Sequence, residues 1–441
     1  MGLTGLAIFK QLPKKNCKEC GFATCMAFAM ALAAGKASLD ACPYVTDEAK
    51  EALDSASAPP IKTVKVGVGE KEVVLGDETV LFRHDKTFYH PTGLGFAVND
   101  NDADLDAKIA NIADLKFDRV GQHYEVQFVN LVCASGDAAV FAAAAEKAAA
   151  KKAVILNADD SAILGAALDK IAAEKPLVYA ATADNYEAMV EVAKKYEVAL
   201  AVKADGLEAL EDLVNKIVAL GYKELVLDPG SRQTAAVIAD MTQIRRLAVK
   251  KTFRPFGYPT IAFTTDADPL AESLQASAYV AKYASIVVMQ NAIKGYVLPI
   301  LSWRQNVFTD PQKPVAVQPK LMEIGAVTPD SPLYVTTNFS LSYYSVEGEV
   351  EASRIPSYII PVDTDGTSVL TAWAAGKFGG EQIAAAMKEY GMDDKLNHKD
   401  VIIPGFVAVI AAKLKEESGW NVVVGPKEAS GISGFAKENF S

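Results

Sequence analysis

The sequence lacks three features that would direct it to a membrane, to the cell exterior or to nucleic acid. No run reaches the roughly 18 uncharged apolar residues of a transmembrane helix, and the most apolar early run ends by Ala34. Lys10 interrupts the start, so no basic-then-apolar leader pattern is present. Lys+Arg number 44 against 55 Asp+Glu, a formal net charge of −11, which leaves no basic excess for a polyanion. We therefore expect a cytoplasmic protein without membrane or nucleic-acid partners.

Two nucleotide-binding loops are also missing. The sequence contains no G-x-x-x-x-G-K-[ST] phosphate loop and no G-x-G-x-x-G fingerprint after a strand, so neither of these nucleotide sites is expected. The composition is that of a globular protein, 50% hydrophobic and 22% charged, which excludes wholesale disorder. Because 441 residues exceed what one hydrophobic core usually supports, two or three domains are predicted.

Cysteine is scarce but crowded. Four of the five cysteines lie between residues 17 and 42 with the spacing C-x2-C-x4-C-x16-C, and Pro43 follows the last. Four thiolates, three of them on one tight loop, suit a [4Fe–4S] cluster, in which each iron takes one sulfur ligand. A short helix is predicted from Thr24 to Ala34. The candidate metal ligands are Cys17, Cys20, Cys25 and Cys42.

Zinc and a disulfide are the alternatives for these cysteines. Structural zinc favours two pairs of ligands, each pair about two residues apart, and only one such pair is present. Disulfides are rare in the cytosol. The fifth cysteine, Cys133, lies at the end of an apolar strand pattern and is predicted to be a buried, inert thiol.

The cysteine segment resembles a known cluster domain. The run from Lys15 to Ala29, followed by Cys42-Pro43-Tyr44, is similar to the N-terminal domain of large (gamma) subunits in the corrinoid iron–sulfur protein family of the CO dehydrogenase/acetyl-CoA synthase (Wood–Ljungdahl) pathway. Membrane electron-transport subunits contain a similar pattern, so the segment alone does not choose between the two. The sequence departs at Lys18, where the family usually has glycine; this change removes no ligand.

Downstream of this segment, apolar strand-like runs alternate with helical patterns. Eight such runs begin near Gly93, Val126, Ala153, Pro176, Val198, Glu224, Thr260 and Ser285. Strands about 20–35 residues apart, with one helix in each gap, describe repeated βαβ units. Eight units in about 200 residues match a closed (β/α)8 TIM barrel. An open doubly wound sheet is the alternative for this region.

Proline density marks a further boundary. Five prolines fall between residues 306 and 332, which favours an extended linker, and a shorter linker is predicted at Asp54–Pro60. After residue 332 the strand and helix alternation resumes on a smaller scale. The prediction is an α/β protein with a small N-terminal [4Fe–4S] domain (1–58), a connector with short strands (59–92), a central TIM barrel (93–310), a Pro-rich linker (311–332) and a C-terminal Rossmann-like doubly wound domain (333–441).

The C-terminal domain has hydroxyl-rich segments at the ends of predicted strands. Three of them, Thr336–Tyr344, Asp365–Lys377 and Val424–Ile432, precede or begin helices, and ordinary helix capping also explains that composition. They resemble the corrinoid-binding domain of the same family, so the resemblance covers essentially the whole chain. It implies that cobalt is the reactive centre, that no side chain is catalytic, and that Thr371 lies beneath the metal. The implied corrinoid (cobamide) contacts are Thr337, Ser340, Tyr343, Gly366, Thr367, Ser368, Val369, Leu370, Thr371, Ala372 and Gly431.

Histidine is rare, and its placement bears on cobalt ligation. The four histidines are His84, His90, His123 and His398, and none has an aspartate two residues before it. The Asp-x-His-x-x-Gly motif, by which many cobalamin enzymes supply a histidine to cobalt, is therefore absent. A bound corrinoid is expected in the base-off form with no protein histidine ligand. Axial ligation is a main determinant of a metal's potential, and the loss of a strong donor makes Co(I) easier to reach.

Two polar segments end predicted barrel strands, where barrel active sites lie. Asn157-Ala158-Asp159 and Asp228-Pro229-Gly230 resemble remnants of a pterin-binding barrel, in which Asn and Asp bind the pterin edge. Asp-Pro-Gly is also good turn chemistry. We favour the turn, and we expect the barrel to serve mainly as a docking scaffold.

The family resemblance implies a methyl carrier within a methyl-transferring complex of the transferase class. In that family, Co(I) takes a methyl group from methyl-tetrahydrofolate, or a related methyl-pterin, through a methyltransferase and passes it to acetyl-CoA synthase. The [4Fe–4S] cluster reactivates Co(II). The implied partners are the small subunit, in a heterodimer, the methyltransferase and the acetyl-CoA synthase/CO dehydrogenase. Two alternatives stay open: an electron-transfer iron–sulfur subunit without corrinoid, and a self-contained pterin-dependent methyltransferase barrel.

Overall fold

The computed structural model describes residues 5–33, 37, 39–46 and 59–440, and they form two compact units. The first unit contains the residues up to Leu81 together with Tyr89–Asp114 and Val126–Ile300. The second contains Phe82–Phe88, Leu115–Glu125 and the chain from Leu301 onward. Most of the linker predicted at Asp54–Pro60 lies outside the described residues. No helix within the described ranges is long and apolar enough to cross a bilayer.

The cysteine segment contains two short helices. They span Gly5–Gln11 and Cys25–Ala33, and a 3-10 turn follows at Leu39–Ala41. The helix predicted from Thr24 is confirmed, and the Thr24 hydroxyl accepts a hydrogen bond from the Ala27 N–H at 3.1 Å, as an N-cap residue does. Ile8, Leu12 and Phe28 are buried in one small core with Cys25 and Cys42. The ligand candidates therefore lie in a packed segment.

The predicted connector begins with an antiparallel hairpin, β1 (Val64–Val66) and β2 (Val73–Leu75). The buried side chains of both strands belong to one core cluster with barrel residues such as Phe128 and Ile155. Burial of apolar surface is the main stabilising contribution in folding. The hairpin is therefore part of the core of the first unit.

The eight predicted barrel strands are confirmed. They are β3 (Gly93–Asn99), β6 (Phe128–Val132), β7 (Ala153–Asn157), β8 (Leu177–Ala181), β9 (Leu200–Lys203), β10 (Leu225–Asp228), β11 (Ile261–Phe263) and β12 (Ile286–Met289). They are parallel neighbours in the order β10-β9-β8-β7-β6-β3-β12-β11. A single parallel bridge between Leu227 and Thr260 joins the two ends of this sheet, so the ring closes as in a TIM barrel.

Helices alternate with these strands. They are Leu105–Ala113, Ala138–Ala149, Ser161–Ile171, Tyr186–Tyr196, Leu207–Ala219, Thr234–Lys251, Pro269–Ala281 and Lys294–Phe308. All five residues of β8 are buried, as expected for a parallel strand covered on both faces. Because the strands are parallel, their carboxyl ends form one edge of the barrel. Asn157 and Asp228, the last residues of β7 and β10, lie at this edge.

The second unit contains two elements that the sequence pattern did not predict. One is the antiparallel hairpin β4 (Lys116–Arg119) and β5 (Gln122–Glu125). The other is β13 (Met322–Ile324), a strand inside the Pro-rich segment 311–332. β13 pairs antiparallel with β15 (Ser357–Val362) and forms an edge of the sheet. Part of the predicted linker therefore belongs to the folded unit, and the predicted division into five domains stays a prediction.

The sheet of the second unit has the order β13-β15-β14-β16-β17. Its remaining strands are β14 (Leu333–Thr337), β16 (Asp400–Ile403) and β17 (Asn421–Val424), which are parallel with β15. The chain runs from β14 outward to β15 and then returns to the other side of β14. Ligands in open α/β sheets bind where the strand order reverses in this way. The expected crevice therefore lies at the carboxyl ends of β14 and β16.

The helices of the second unit complete the Rossmann-like α/β layers. They are Ser340–Ser353, Val369–Ala374, Gly380–Glu389, Met392–Lys395, Ala411–Ser418 and Ile432–Phe440, with a 3-10 segment at Gly405–Ile410. The helical stretch after β16 is thus split into a 3-10 part and an α part. One core lies on each face of the sheet, the first around Ile360 and Phe378 and the second around Tyr343 and Ile359.

Candidate functional site

The cysteine loop is held in shape by Asn16. Its side-chain Oδ1 accepts the backbone N–H of Cys25 at 2.8 Å, and its own N–H lies 3.4 Å from the Cys25 sulfur. An N–H directed at a sulfur stabilises a thiolate, and hydrogen bonds to sulfur are one determinant of cluster potential. Cys25 and Cys42 are buried, Cys20 is half-buried and Cys17 is exposed. The loop therefore has one solvent-facing corner, at Cys17.

The donor set fits an iron–sulfur cluster. All four cysteines are free thiols, which is the ligand set of a [4Fe–4S] cluster. No group of three or more His, Cys, Asp or Glu side chains in the described ranges is placed to hold one metal ion. In a cluster each cysteine sulfur binds a different iron, so its ligands surround a larger group than a single ion. The assignment of Cys17, Cys20, Cys25 and Cys42 as ligands stays a prediction.

Lys18 adopts a backbone conformation that favours glycine. Its φ is +68°, and Gly21, which closes the same turn by donating its N–H to the Lys18 carbonyl at 3.0 Å, has φ +82°. A residue with a Cβ in the left-handed region costs about 1–2 kcal/mol. This strain explains why glycine, the residue usual in the family that the segment resembles, suits position 18, where this sequence has lysine.

Replacing Lys18 with glycine is expected to make the loop more resistant to cluster loss. Relief of about 1 kcal/mol of backbone strain corresponds to a roughly fivefold longer half-life of bound iron under a chelator. The measurement is the decay of the visible cluster absorption in anaerobic EDTA. Lys18→Ala is the matched control, because it removes the same charge but keeps the Cβ. Equal cluster half-lives for Lys18→Gly and Lys18→Ala would show that removal of the charge, and not relief of backbone strain, slows the loss of the cluster.

A cavity of about 330 Å³ lies at the switch point of the second unit's sheet. Its wall includes the carboxyl ends of β14 and β16, the first turns of the helix Ser340–Ser353, the residues Ser368–Leu370 and the segment after β17. The lining is mainly apolar, with Leu341, Val369 and Phe406 among its members. Planar cofactors typically bind in such apolar crevices with few polar groups.

Three buried hydroxyl groups of β14 have no hydrogen-bond partner among the described residues. The side-chain oxygens of Tyr334, Thr336 and Thr337 make no hydrogen bond within the described part of the chain, and Tyr334 and Thr336 line the cavity. Burial raises the pKa of Tyr334 to about 12, so its hydroxyl stays protonated. An unpaired buried polar group costs about 1–3 kcal/mol. A corrinoid, whose ring carries amide side chains, fits because it could supply the partners that Tyr334 and Thr336 lack in the cavity wall.

Asn338 organises the loop that brings Ser368 to the cavity. Its Oδ1 accepts three hydrogen bonds, from the Thr364 N–H, the Thr364 hydroxyl and the Gly366 N–H, each at 3.0 Å. Its Nδ2 donates to Asp363 at 3.0 Å. Gly366 has φ +70°, which only glycine adopts without strain. Asn338 lies inside a stretch identified by resemblance, but sequence spacing did not distinguish it, since its role depends on a turn about 25 residues further along the chain.

The structure brings together only some of the predicted corrinoid contacts. Ser368, Val369 and Leu370 line the cavity, and the exposed Thr371 pairs its hydroxyl with that of Ser368 at 3.0 Å. The other predicted contacts lie beside the cavity or behind it: Thr337 at the end of β14, Ser340 at a helix start, Gly366 and Thr367 in the loop, Gly431 against Pro426, and Tyr343 and Ala372 in the cores. As contacts they stay predictions.

Several lining residues were missed by the sequence analysis. Leu341, Ser342 and Ser345 share one face of the helix Ser340–Ser353, and Pro404 and Phe406 follow β16. The signal for the first group is helical periodicity, because positions three and four apart lie on one face. The signal for the second is the switch-point rule, which assigns a ligand role to the loop after β16 as well as to that after β14.

The acidic group at the barrel mouth is already paired. Asp228 is 1% exposed, and its carboxylate accepts the Tyr179 hydroxyl at 2.6 Å, the Gly230 N–H at 2.9 Å and both terminal nitrogens of Arg232 at 2.8 and 3.0 Å. These contacts occupy both oxygens, so no lone pair is left in a good position for a pterin edge. This supports the interpretation of Asp228-Pro229-Gly230 as a structural turn.

Comparisons with known proteins match the whole chain. A family model described as "CO dehydrogenase/acetyl-CoA synthase delta subunit" matches residues 63–436, and a model for a candidate Fe-S cluster segment matches residues 12–44. The corrinoid/iron-sulfur protein large subunit of Moorella thermoacetica is 58% identical over 445 residues, which cover 100% of both chains. The acetyl-CoA decarbonylase/synthase complex subunit gamma of Methanothermobacter thermautotrophicus is 34% identical, covering 99% of this chain and 98% of its own length.

Among solved structures, dihydropteroate synthase from Thermus thermophilus is similar to part of the chain. It covers 55% of this chain and 98% of its own, with 14% sequence identity and a TM-score of 0.38. The full-length sequence relatives, in contrast, span the cysteine segment, the barrel and the C-terminal sheet.

Proposed function

Because this chain belongs to the family of corrinoid/iron-sulfur protein large subunits of the acetyl-CoA pathway, we propose that it carries a methyl group from a methyltransferase to acetyl-CoA synthase. The methyl donor is methyl-tetrahydrofolate or a related methyl-pterin, held by the separate methyltransferase. When bound, the corrinoid supplies the cobalt that accepts and releases the methyl group, and the [4Fe–4S] cluster supplies the electron that restores reduced cobalt. The observation that carries this proposal is the apolar switch-point cavity with unpaired hydroxyls in its wall.

The short helix Val369–Ala374 would hold one face of the corrinoid. Val369 and Leu370 supply apolar contact to the ring from the cavity wall. Thr371 is exposed, and its hydroxyl already pairs with Ser368. A neutral hydroxyl with a hydrogen-bond partner is a much weaker metal donor than imidazole. This arrangement supports a base-off corrinoid with Thr371 beneath the cobalt and no strong protein ligand.

The position of His398, the histidine nearest in sequence to the cavity-lining residues, also supports a corrinoid without a protein histidine ligand. His398 precedes β16, and its Nε2 lies 3.0 Å from the Ser331 carbonyl, while its Nδ1 accepts the Asp400 N–H at 3.1 Å. Both ring nitrogens are therefore engaged at the amino ends of the strands, and the cavity lies at the carboxyl ends. No histidine is found among the residues that line the cavity.

An apolar rim around the cavity supports a covering partner. Leu341, Leu370 and Phe406, which line the cavity, are each 46–48% exposed. Exposed apolar residues that cluster on one surface mark a ligand or protein contact. In the proposal the small subunit of the heterodimer covers this rim and the outer face of the corrinoid. The methyltransferase and the acetyl-CoA synthase/CO dehydrogenase would reach the cobalt in turn.

The test is metal analysis of the protein produced anaerobically with its small subunit and supplied corrinoid. About four irons and one cobalt per chain are expected, with an EPR spectrum of the Co(II) state that lacks nitrogen superhyperfine splitting. Iron without cobalt would favour an electron-transfer subunit. Methyl transfer from methyl-tetrahydrofolate without a methyltransferase would favour a self-contained barrel enzyme. Nitrogen splitting would contradict the absence of a nitrogen ligand to the cobalt.

Two variants separate the cofactors. Val369→Trp fills the cavity and is expected to remove cobalt but keep iron, whereas Cys42→Ser is expected to remove iron but keep cobalt. Val409→Trp is the control for bulk, because Val409 is 71% exposed and does not line the cavity. Loss of cobalt in the Val409 variant as well would show that Val369→Trp acts by misfolding.

A further inference from the structure

The cysteine segment concentrates positive charge in a chain that is acidic as a whole. Between residues 5 and 33 the chain has four lysines, at positions 10, 14, 15 and 18, and one acidic residue, Glu19, whereas the net charge of the whole chain is −11. All four lysines are exposed. One glutamate cannot balance them, so this segment presents a positive surface to the solvent.

The positive surface borders the solvent-facing corner of the candidate cluster site. Cys17 is exposed, whereas Cys25 and Cys42 are buried. Lys15 lies two positions before Cys17 and Lys18 directly follows it. A redox partner has to come close to the cluster to exchange an electron with it, and Cys17 is the most accessible approach. The lysines therefore lie where such a partner would make contact.

Two of the ammonium groups are held in place by aromatic rings. The Lys15 Nζ lies 3.9 Å from the centroid of the Tyr44 ring, and the Lys14 Nζ lies 5.8 Å from the centroid of the Phe9 ring. These distances are within the range of cation–π interactions. The Tyr44 hydroxyl donates to Glu19 Oε1 at 2.8 Å, which fixes the ring itself. Side chains that are ordered in advance lose less entropy when a partner binds.

The backbone of this loop is strained at two of the lysines. Lys14 has φ +58° and Lys18 has φ +68°, in the left-handed region that favours glycine. Strained residues of this kind cluster at functional sites, so an observed outlier motivates a hypothesis of function. Glycine would stabilise the loop at either position but would remove a charge beside the cluster site. A use for the charge would explain why lysine is present.

We propose that Lys14, Lys15 and Lys18 form a docking surface for a small acidic electron-transfer protein, which reduces the cluster at its Cys17 corner. The inference rests on the proposed function, because a cluster that gives one electron to cobalt has to receive one from a donor. The donor is oxidised by one electron and the cluster is reduced by one, with no bond made or broken. Charge complementarity speeds such an encounter by about 10–10³-fold.

The size of the basic surface favours a small protein over an extended polyanion. The surface is one loop, and a nucleic acid lying across it would also meet the acidic remainder of the chain, because the net charge of the whole is −11. A small acidic protein covers the loop alone. Both partners would then keep their other acidic surfaces apart, in solvent.

The test compares the triple glutamine variant of the docking surface with the wild type, in the intact protein with its small subunit and bound cluster. Oxidised flavodoxin, an acidic electron carrier, is titrated by calorimetry, and reduced flavodoxin is mixed with the protein in a stopped-flow instrument. Affinity and the rate of cluster reduction are both expected to fall about tenfold at low ionic strength. The difference is expected to disappear near 1 M salt, where the screening length is about 3 Å.

The matched control removes the same charge elsewhere. It replaces three exposed lysines outside the cysteine segment with glutamine: Lys250, Lys251 and Lys388. Flavodoxin affinity and rate are expected to stay at the wild-type level. An equal loss in the control would show that net charge alone governs the encounter, and unchanged binding in the docking-surface variant would also overturn the proposal. Metal analysis of the same samples tests the methyl-carrier proposal separately.

Reduced methyl viologen distinguishes docking from an effect on the cluster potential. It is a small cation that needs no docking surface and is repelled by lysines, so its rate is expected to be unchanged or higher in the triple variant. Slower reduction by both donors would show that the lysines act on the potential, and would contradict the proposal.

Lys18→Gly separates docking from stability, because the two effects have opposite signs. Relief of strain is expected to lengthen the cluster half-life, as described above, while the loss of one charge is expected to slow reduction by flavodoxin about twofold at low ionic strength. If the triple variant loses iron, this single variant decides the question. An unchanged rate with flavodoxin would then overturn the proposal.

Discussion

Asp228→Ala is expected to lower the free energy of unfolding by about 3 kcal/mol, the lower end of the range for breaking a buried ion pair. The variant leaves the Arg232 guanidinium and the Tyr179 hydroxyl without the acceptor that both contact. The lower end applies because the Arg232 side chain is 32% exposed and water reaches part of it. The measurement is urea unfolding monitored by circular dichroism. The free energy of unfolding is calculated from the urea midpoint and the slope of free energy against urea concentration.

Asp159→Ala is the control for this prediction. Asp159 is an exposed carboxylate in the other segment that resembles a pterin site, at the same edge of the barrel, and its loss is expected to change stability by less than about 0.5 kcal/mol. The two variants also bear on function. If folded Asp228→Ala protein lost methyl transfer while it retained cobalt, iron and partner binding, the barrel itself would be part of the reaction. Retained transfer would agree with a structural turn.

Asn338→Ala is expected to have the largest effect on the C-terminal unit. It removes four hydrogen bonds, three accepted by Oδ1 and one donated by Nδ2, and net values of about 1 kcal/mol for each bond predict a loss of about 4 kcal/mol. The loop from Asp363 to Ser368 would then lose its fixed shape. We expect cobalt content to fall by at least about tenfold while iron content is unchanged, measured on the same sample by elemental analysis.

Asn397→Ala is the matched control for Asn338. Its side chain donates one exposed hydrogen bond to Asp330, before the start of β14, and its removal is expected to leave cobalt content at the wild-type level. Equal cobalt loss in both variants would show that retention follows general stability of the unit. A stable Asn338→Ala protein with full cobalt would show that the loop does not need this residue.

The barrel could be predicted from the sequence because its signal is local and repeated. Each strand is a short run of apolar residues, and the helix that follows has its own period, so one unit is recognised without its neighbours. The strands β4 and β13 gave weaker signals. β4 is the charged stretch from Lys116 to Arg119, and β13 is three half-buried or exposed residues among prolines. Their strand structure depends on pairing with β5 and β15.

The candidate corrinoid site was less predictable, because a sequence stretch does not specify which of its faces meets a ligand. Within the helix Ser340–Ser353, Leu341 and Ser345 face the cavity, whereas Tyr343 packs into a core with Val350 and Ile359. The helix period separates these two sets, but the direction of the helix on the sheet had to be known first. Resemblance identified segments that contribute to the wall of the cavity, and the fold decided which of their residues line it.

The edge strand β13 changes where the second unit can be cut. Residues just before it already hold the cavity loops: the Val315 carbonyl accepts the Ser340 N–H at 2.9 Å, and the Val317 N–H donates to the Asn338 carbonyl at 2.8 Å. An expression fragment that started at Leu333 would lose these contacts together with the covering of β15, and would expose that strand's edge to other chains. A fragment for crystallisation or for partner-binding assays should therefore begin upstream of Pro314.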